Sequence, residues 1–375
     1  MSKLGEKLEV ARVLYRARVL KPVGPAKTMK ILKRAKAWGQ SPAFGFMALA
    51  IRQPDAIAVI DDEGSASFEQ IDKRSNALAR GLRETGVAAG DVVGLMARNH
   101  RQFVESIVAC CKVGANTVLL NTMFAAPQLA DVGKRESISA LLYDAEFAEL
   151  LGGLRGVPKF VTYGSAQDRS IDELIARHSD GDVEAPSVES RFTMLTSGTT
   201  GTPKGAKRGS PKGMMPVASM LSRLPLRAGE RTMVAAPMFH SWGLGHLQLG
   251  LVLGTTYVVN RRFDPEGTLR AISEHDCSSL AIIPIMMQRI LALPDEVKRK
   301  YDLSSLRVTA VSGSALPGPI ATKWMDTFGD NLYNFYGSTE VAMASVASPE
   351  ERRAEPGTAG RVTLGTVVKI RAGRG

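Results

Sequence analysis

The sequence predicts an α/β protein made of two stacked α/β subdomains with mainly parallel sheets, followed by a short β-rich piece. Three observations predict it. Short apolar runs alternate with longer amphipathic stretches along most of the chain. Several of those stretches carry helix start and stop signals. A polar segment with one proline, Asp180 to Glu189, divides the alternation into two halves.

Residues 1–47 read as a basic helical extension. The first subdomain, 48–185, opens with the strand Ala56–Ile60. Phe68–Glu84 follows as an amphipathic helix, with Ser67 as its N-cap and Gly86 just past its end. Then come a strand at Val92–Met96, a helix at Gln102–Lys112 and a strand at Thr117–Leu120. Ala140–Tyr143 and Lys159–Tyr163 continue the rhythm. The second subdomain, 186–352, begins with the apolar run Phe192–Leu195. Its further strands are Thr232–Ala236, Thr256–Val259, Ser279–Ile283, Arg307–Val311 and Asn331–Tyr333. Asp264-Pro265-Glu266 marks a helix start: a carboxylate cap, then proline at the first helical position. The last piece, 353–375, carries one strand, Val367–Ile370.

The chain has 375 residues, 44% of them hydrophobic, enough for two or three structural units. It has no apolar run long enough to span a bilayer and no compact apolar core of a signal peptide. Cys110, Cys111 and Cys277 do not form a disulfide framework, and a reduced cytoplasmic setting fits them. No Cys-x-x-Cys or His-x-x-x-His spacing occurs, which argues against a metal site of that kind. The formal net charge is +11, and it is concentrated at the start. Residues 1–36 hold eleven Lys and Arg against Glu6 and Glu9. Such a head suits peripheral contact with an anionic membrane surface, at the inner face for a cytoplasmic protein. It suits equally a solvated helical extension. Nucleic acid is not expected, because only Tyr15 and Trp38 are available for stacking and no binding motif is present.

The most informative stretch is Thr196, Ser197, Gly198, Thr199, Thr200, Gly201, Thr202, Pro203, Lys204 and Gly205, directly after Phe192–Leu195. Glycines let backbone N–H groups turn inward, hydroxyls donate to phosphate oxygens, and the lysine adds a point charge. The loop is therefore suited to a polyphosphate. It is not a Walker loop, whose glycines and lysine are spaced differently and lead into a helix. Three further segments follow strands: Pro237 to Gly243, Val311 to Pro317 and Asn334 to Glu340. Strand ends are where open α/β sheets bind ligands.

In this order and spacing the four segments resemble the adenylate-forming superfamily of acyl-CoA synthetases, luciferases and peptide-synthetase adenylation domains. The likeness runs from about Gln53 to the last residue. It implies a two-step reaction: a carboxylate attacks the α-phosphate of ATP to give acyl-AMP and pyrophosphate, and a thiol such as coenzyme A displaces AMP. It implies that Thr196, Ser197, Gly198, Thr199, Thr200, Gly201 and Lys204 cradle the β- and γ-phosphates. Gly313, Ser314 and Ala315 would line the adenine, and Tyr336, with Gly337 and Ser338 beside it, would stack on its face. Thr339 would bond the α-phosphate and Glu340 would hold Mg²⁺, as a carboxylate beside phosphates commonly does. His240 would stand beside the acyl carboxylate, although a packed core histidine is the alternative. His246, His275 and Cys277 read as structural.

Trp242–Leu253 is apolar with small residues, suited either to wall an alkyl tunnel or to form a buried helix. With the basic head, this makes a fatty acid the expected substrate. The rival expectations are an acyl-AMP ligase feeding a carrier protein and a non-catalytic nucleotide- or acyl-binding remnant. Two departures from the family stand out. Ala206 to Pro211 replaces a hydroxyl-plus-histidine pair. Gly360 to Ile370 matches the start of the family's β-barrel, but the Thr-Gly-Asp segment, the hinge and the mobile domain with its lysine are not in this sequence. The expectation is an incomplete β-barrel belonging to a fragment, a truncated product or half of a split enzyme. Oligomeric state is not readable from the sequence.

Overall fold

The computed structural model describes residues 3–19, 22–39, 41–196, 204–208, 213–338 and 342–369. In chain order the elements are α1 (Lys3–Arg16), α2 (Pro25–Trp38), α3 (Pro42–Arg52), β1 (Ile57–Asp61), β2 (Gly64–Ser67), α4 (Phe68–Glu84), β3 (Val92–Met96), α5 (Arg101–Val113), β4 (Asn116–Leu119), α6 (Ala126–Arg135) and β5 (Ala140–Tyr143). A 3₁₀ helix (Ala145–Gly153) leads to β6 (Lys159–Val161), α7 (Ile171–Arg177), β7 (Phe192–Thr196), β8 (Lys204–Arg208), α8 (Met215–Leu221), β9 (Arg231–Val234), α9 (Ser241–Leu253), β10 (Thr256–Val258), α10 (Pro265–Glu274) and β11 (Ser279–Ile282). The chain continues through α11 (Pro284–Leu291), α12 (Asp295–Arg299), β12 (Val308–Val311), α13 (Gly318–Phe328), β13 (Leu332–Ser338), β14 (Ala342–Ala347), α14 (Pro349–Ala354) and β15 (Arg361–Val362).

The chain forms two compact units, each discontinuous in sequence. One contains residues 1–21, 212–236 and 263–375. Its strands run in the order β15-β14-β13-β12-β11-β9. From β9 to β13 they are parallel, and β14 and β15 are antiparallel additions at one edge. The other unit contains residues 22–211 and 237–262. It holds the sheet β6-β5-β3-β4-β7-β8, parallel except for β8, and the ladder β10-β1-β2. Both units are α/β with mainly parallel sheets, as expected, and no closed barrel occurs among the described residues. The basic head is shared between them: α1 packs on α8 in the first unit, α2 on α3 in the second.

Local chemistry explains most boundaries. The Ser67 hydroxyl accepts from Gln70 N at 3.2 Å while Gln70 Oε1 accepts from Ser67 N at 2.7 Å, a reciprocal cap on α4. Gly86, at φ +96°, leads the chain away from its end. Asp264 Oδ2 accepts from Gly267 N at 2.5 Å and starts α10. Two sequence expectations are corrected. Val367 and Val368 lie exposed and outside any strand; the chain turns off the sheet where Thr366 N donates to Thr363 O at 3.0 Å. The strand at this end is β15, which pairs through Ser345↔Val362 and Val346↔Arg361. The strand expected at Asn331–Tyr333 instead runs on to Ser338, because β14 continues its ladder antiparallel.

The second unit buries charge as well as apolar surface. Lys112 of α5 is fully buried, and its ammonium donates to Asp72 Oδ1 at 2.6 Å, Asn76 Oδ1 at 2.7 Å and Ser75 Oγ at 2.9 Å on α4. Glu146 draws in Arg98, Arg261 and Arg262. Burial opposes its ionisation, but the Arg98 hydrogen bond and the three guanidinium charges outweigh burial and hold the carboxyl at about 2. A carboxyl depressed in the folded state stabilises above its unfolded pKa and loses that contribution as pH falls. The stability gap between wild type and Glu146→Gln is therefore expected to be flat from neutral pH down to about pH 4.3, then to narrow by roughly 1 kcal/mol per pH unit. Urea titrations at a series of pH values check this; a gap independent of pH over that range contradicts it.

Candidate active site

The adenine-lining residues of the sequence reading come together in the first unit. β11, β12 and β13 are parallel and in register, Ile282 beside Val311 and Val311 beside Asn334, so their carboxyl ends finish at one level. Beyond Val311 the chain turns at Gly313, whose φ is +96°. A Cβ there would stand 3.2 Å from Ile283 Cγ2. Gly313, Ser314 and Ala315 are exposed. The Ser312 hydroxyl donates to Phe335 O at 3.4 Å and ties this turn to β13. Tyr336 follows two residues after Asn334, as Gly313 does after Val311. Its side chain is 62% exposed, unusual for a large aromatic beside buried Phe335. The ladder to β14 shifts register between Tyr336 and Gly337, skipping Ala344. Such irregularities re-aim a side chain. Gly337 is exposed and Ser338 ends the strand.

One functional candidate went unassigned in the sequence. Asn334 is buried, and its Oδ1 has no hydrogen-bond partner among the described residues. An unpaired buried acceptor costs free energy unless a ligand donor meets it. The residue begins the Asn334 to Glu340 segment, but nothing in its type or spacing distinguishes it from an ordinary strand asparagine.

In the second unit β7 and β8 pair antiparallel, with Thr196 opposite Lys204. The chain after the Gly/Thr segment is thus a strand, β8, rather than the helix a Walker loop requires. Ser197, Gly198, Thr199, Thr200 and Gly201 lie outside the described residues, as do Thr339 and Glu340.

His240 is the residue just before α9. Its N–H donates to Pro237 O at 3.1 Å, and its ring lies 4.4 Å from that of Phe239. Asn99 Oδ1 accepts from Met238 N at 2.8 Å and holds this turn, a contact from 139 residues away that no local pattern announces. Gly243 permits the tight return, since a Cβ there would fall 2.3 Å from Pro237 O. Burial against these neighbours lowers the His240 pKa, although the residue as a whole is exposed. His246 is buried, T-stacked on Trp242 at 4.6 Å, and burial pushes its pKa down to about 4, in keeping with a structural role.

An exposed aromatic, a glycine turn and an orphaned acceptor thus stand at adjoining strand ends of an α/β protein. The chain belongs to the AMP-binding enzyme family, whose sequence profile matches residues 47–374. It is similar to a feruloyl-CoA synthase of an Amycolatopsis species, 31% identical over 319 residues that cover 84% of this chain and 63% of the relative. It is also similar to a 2-succinylbenzoate–CoA ligase of Bacillus pumilus, 28% identical over 326 residues, 85% of this chain and 63% of the relative. The fold matches the anthranilate CoA ligase AuaEII in complex with anthranoyl-AMP, with TM-score 0.77 and 23% identity over 86% of this chain and 63% of that one. It matches the N-terminal domain of FACL13 from Mycobacterium tuberculosis equally well, TM-score 0.77 and 22% identity over 86% and 82%. The chain spans about 63% of the length of the curated relatives it matches.

Proposed function

We propose that this chain binds ATP and a carboxylic acid and joins them as an acyl-adenylate, the first half of an acyl-CoA ligase reaction. The observation that carries the reading is the exposed Tyr336 beside the Gly313 turn and the unpaired Asn334 oxygen. Tyr336 offers a flat face to the base, and Asn334 Oδ1 an acceptor for its exocyclic amine. The backbone of Gly313, Ser314 and Ala315 would line the base edge. The segment from Thr196 to Lys204 would take the outer phosphates, and Thr339 the α-phosphate. Mg²⁺, held by the Glu340 carboxylate, would neutralise phosphate charge as pyrophosphate leaves. Neutral His240 can accept or donate a hydrogen bond beside the incoming carboxylate without competing with it for charge. Coenzyme A would then accept the acyl group.

For the acid we favour one that bears an aromatic ring over the fatty acid expected from sequence. The curated relatives include a feruloyl-CoA synthase and a 2-succinylbenzoate–CoA ligase, both named for aromatic acids. The packing of α9 also argues against an alkyl tunnel along it. Leu244, Leu247, Leu249, Leu251 and Leu253 are buried, and the Tyr257 hydroxyl fills the notch at Gly250, donating to Leu247 O at 2.5 Å. Of α9 only Ser241 and Gln248 are exposed, with Trp242, Gly245 and Val252 half-buried.

Tyr336→Ala is expected to weaken ATP binding by roughly 10- to 100-fold, the scale of one base–aromatic stack, while Tyr336→Phe keeps most of it. Calorimetric titration of ATP reads this directly. ATP binding unchanged in Tyr336→Ala refutes the site. Pyrophosphate exchange with ferulate, 2-succinylbenzoate and hexadecanoate separates the acids; exchange supported by hexadecanoate alone would restore the fatty acid.

A further inference from the structure

We propose that the outward face of α2 docks on an anionic lipid surface. The helix carries five cations, Lys27, Lys30, Lys33, Arg34 and Lys36, and no acid. They divide by direction. Toward the protein, Arg34 pairs with Asp182 and Lys27 donates to Arg52 O at 3.1 Å, while Trp38 is buried. Outward, Leu32, Lys33 and Lys36 lie three, four and seven residues after Met29, with Lys30 alongside. All five are exposed, Met29 by 69% and Leu32 by 59%.

Among the described residues, none of Lys30, Lys33 and Lys36 is in an ion pair. Like charges three residues apart repel along a helix, and two large apolar side chains in water gain nothing from folding. An anionic bilayer resolves both at once. Phosphate headgroups neutralise the ammonium groups at the ends of long stems, while Met29 and Leu32 enter the boundary with the acyl chains. A nucleic acid fits less well, because the outward face has no aromatic on which a base could stack. An acidic protein surface would satisfy the lysines but supplies no apolar layer for Met29 and Leu32. No described helix is long and apolar enough to cross a membrane, so the contact is with its surface. α1, in the other unit, does not repeat this face: it carries Glu6 and Glu9, and Arg12 pairs with Glu9 at 3.5 Å.

The test is flotation of the full chain with vesicles of phosphatidylcholine, with and without phosphatidylglycerol. Wild type should partition to the anionic vesicles and leave them as salt rises. The triple variant Lys30→Gln, Lys33→Gln, Lys36→Gln should lose roughly a hundredfold in partitioning, at about fivefold per cation. The pair Met29→Ser and Leu32→Ser should lose roughly tenfold or more. Both variants alter exposed side chains only, and unchanged melting confirms their fold. Equal partitioning to neutral vesicles, none to either, or indifference to either variant overturns the proposal. So does tighter binding to a single-stranded RNA oligonucleotide than to the anionic vesicles.

Discussion

Trp324→Ala is expected to destabilise the first unit by about 3–5 kcal/mol and to weaken nucleotide binding with it. Trp324 lies on α13 with no exposed surface, its ring 4.6 Å from Phe328. Its Nε1–H donates to Asn331 Oδ1 at 3.2 Å, an oxygen that also accepts from Thr309 Oγ1 of β12 at 2.9 Å. Asn331 in turn donates to Phe328 O at 3.0 Å and Leu306 O at 3.3 Å. One asparagine thus ties the helix to the starts of β12 and β13. Removing the indole opens a cavity and strips a donor from that knot. The opposite ends of the same two strands carry Gly313 and Tyr336, so loosened strands misplace both. Trp324→Phe, which loses the N–H and part of the ring volume, should cost less, about 1–3 kcal/mol. Urea titration followed by ATP titration measures the two effects. Stability within error of wild type in the alanine variant would show that the knot holds without the indole.

Arg74→Ala should cost the second unit a similar amount, about 3–5 kcal/mol, because it strands a buried charge. Glu105 on α5 has no exposed surface, and Arg74 of α4 meets it with a fork of 2.7 and 3.2 Å. The same guanidinium reaches Asp172 of α7 at 2.5 Å, so three helices share one cation. Burial pushes the Glu105 carboxyl up, and the guanidinium pulls against it without fully offsetting burial. Without Arg74 the rise must be larger, and Glu105 then takes a proton on folding. A carboxyl whose folded pKa is raised loses stability as pH rises, so the variant's deficit should shrink as pH falls from 7 toward 5. The double variant Arg74→Met, Glu105→Leu should recover most of the loss. A deficit independent of pH, or a double variant as poor as the single one, would contradict this account.

Much of the architecture was legible because the signals are local. The apolar period and the Ser67 cap located α4 at both ends, and Asp264-Pro265 located the start of α10. The strands from β3 to β12 announced themselves as short apolar runs, except β8, whose Lys-Gly-Ala-Lys-Arg sequence carries no such signal. Other features had no such signal. The extension of β13 to Ser338 depends on β14, whose antiparallel ladder begins after the segment where a loop was expected. Val367 and Val368 have strand-forming side chains, yet the Thr363 to Thr366 turn directs them away from any partner. Asn99, Asn331 and Asn334 look alike in the sequence. One holds the His240 turn, one ties α13 to the sheet, and one leaves an acceptor unpaired beside Tyr336.

Residue order alone settled the chemistry on offer: a loop suited to phosphates, a tyrosine and glycines beyond apolar runs, and a cationic head. Those properties depend on neighbours within a few positions, where side-chain type and spacing govern conformation. Which strand ends adjoin, which asparagine loses its partner and which lysines face away from the protein were decided by packing in three dimensions. Residues tens to hundreds of positions apart come together there through shared burial, and no short window of sequence contains both sides of such a contact.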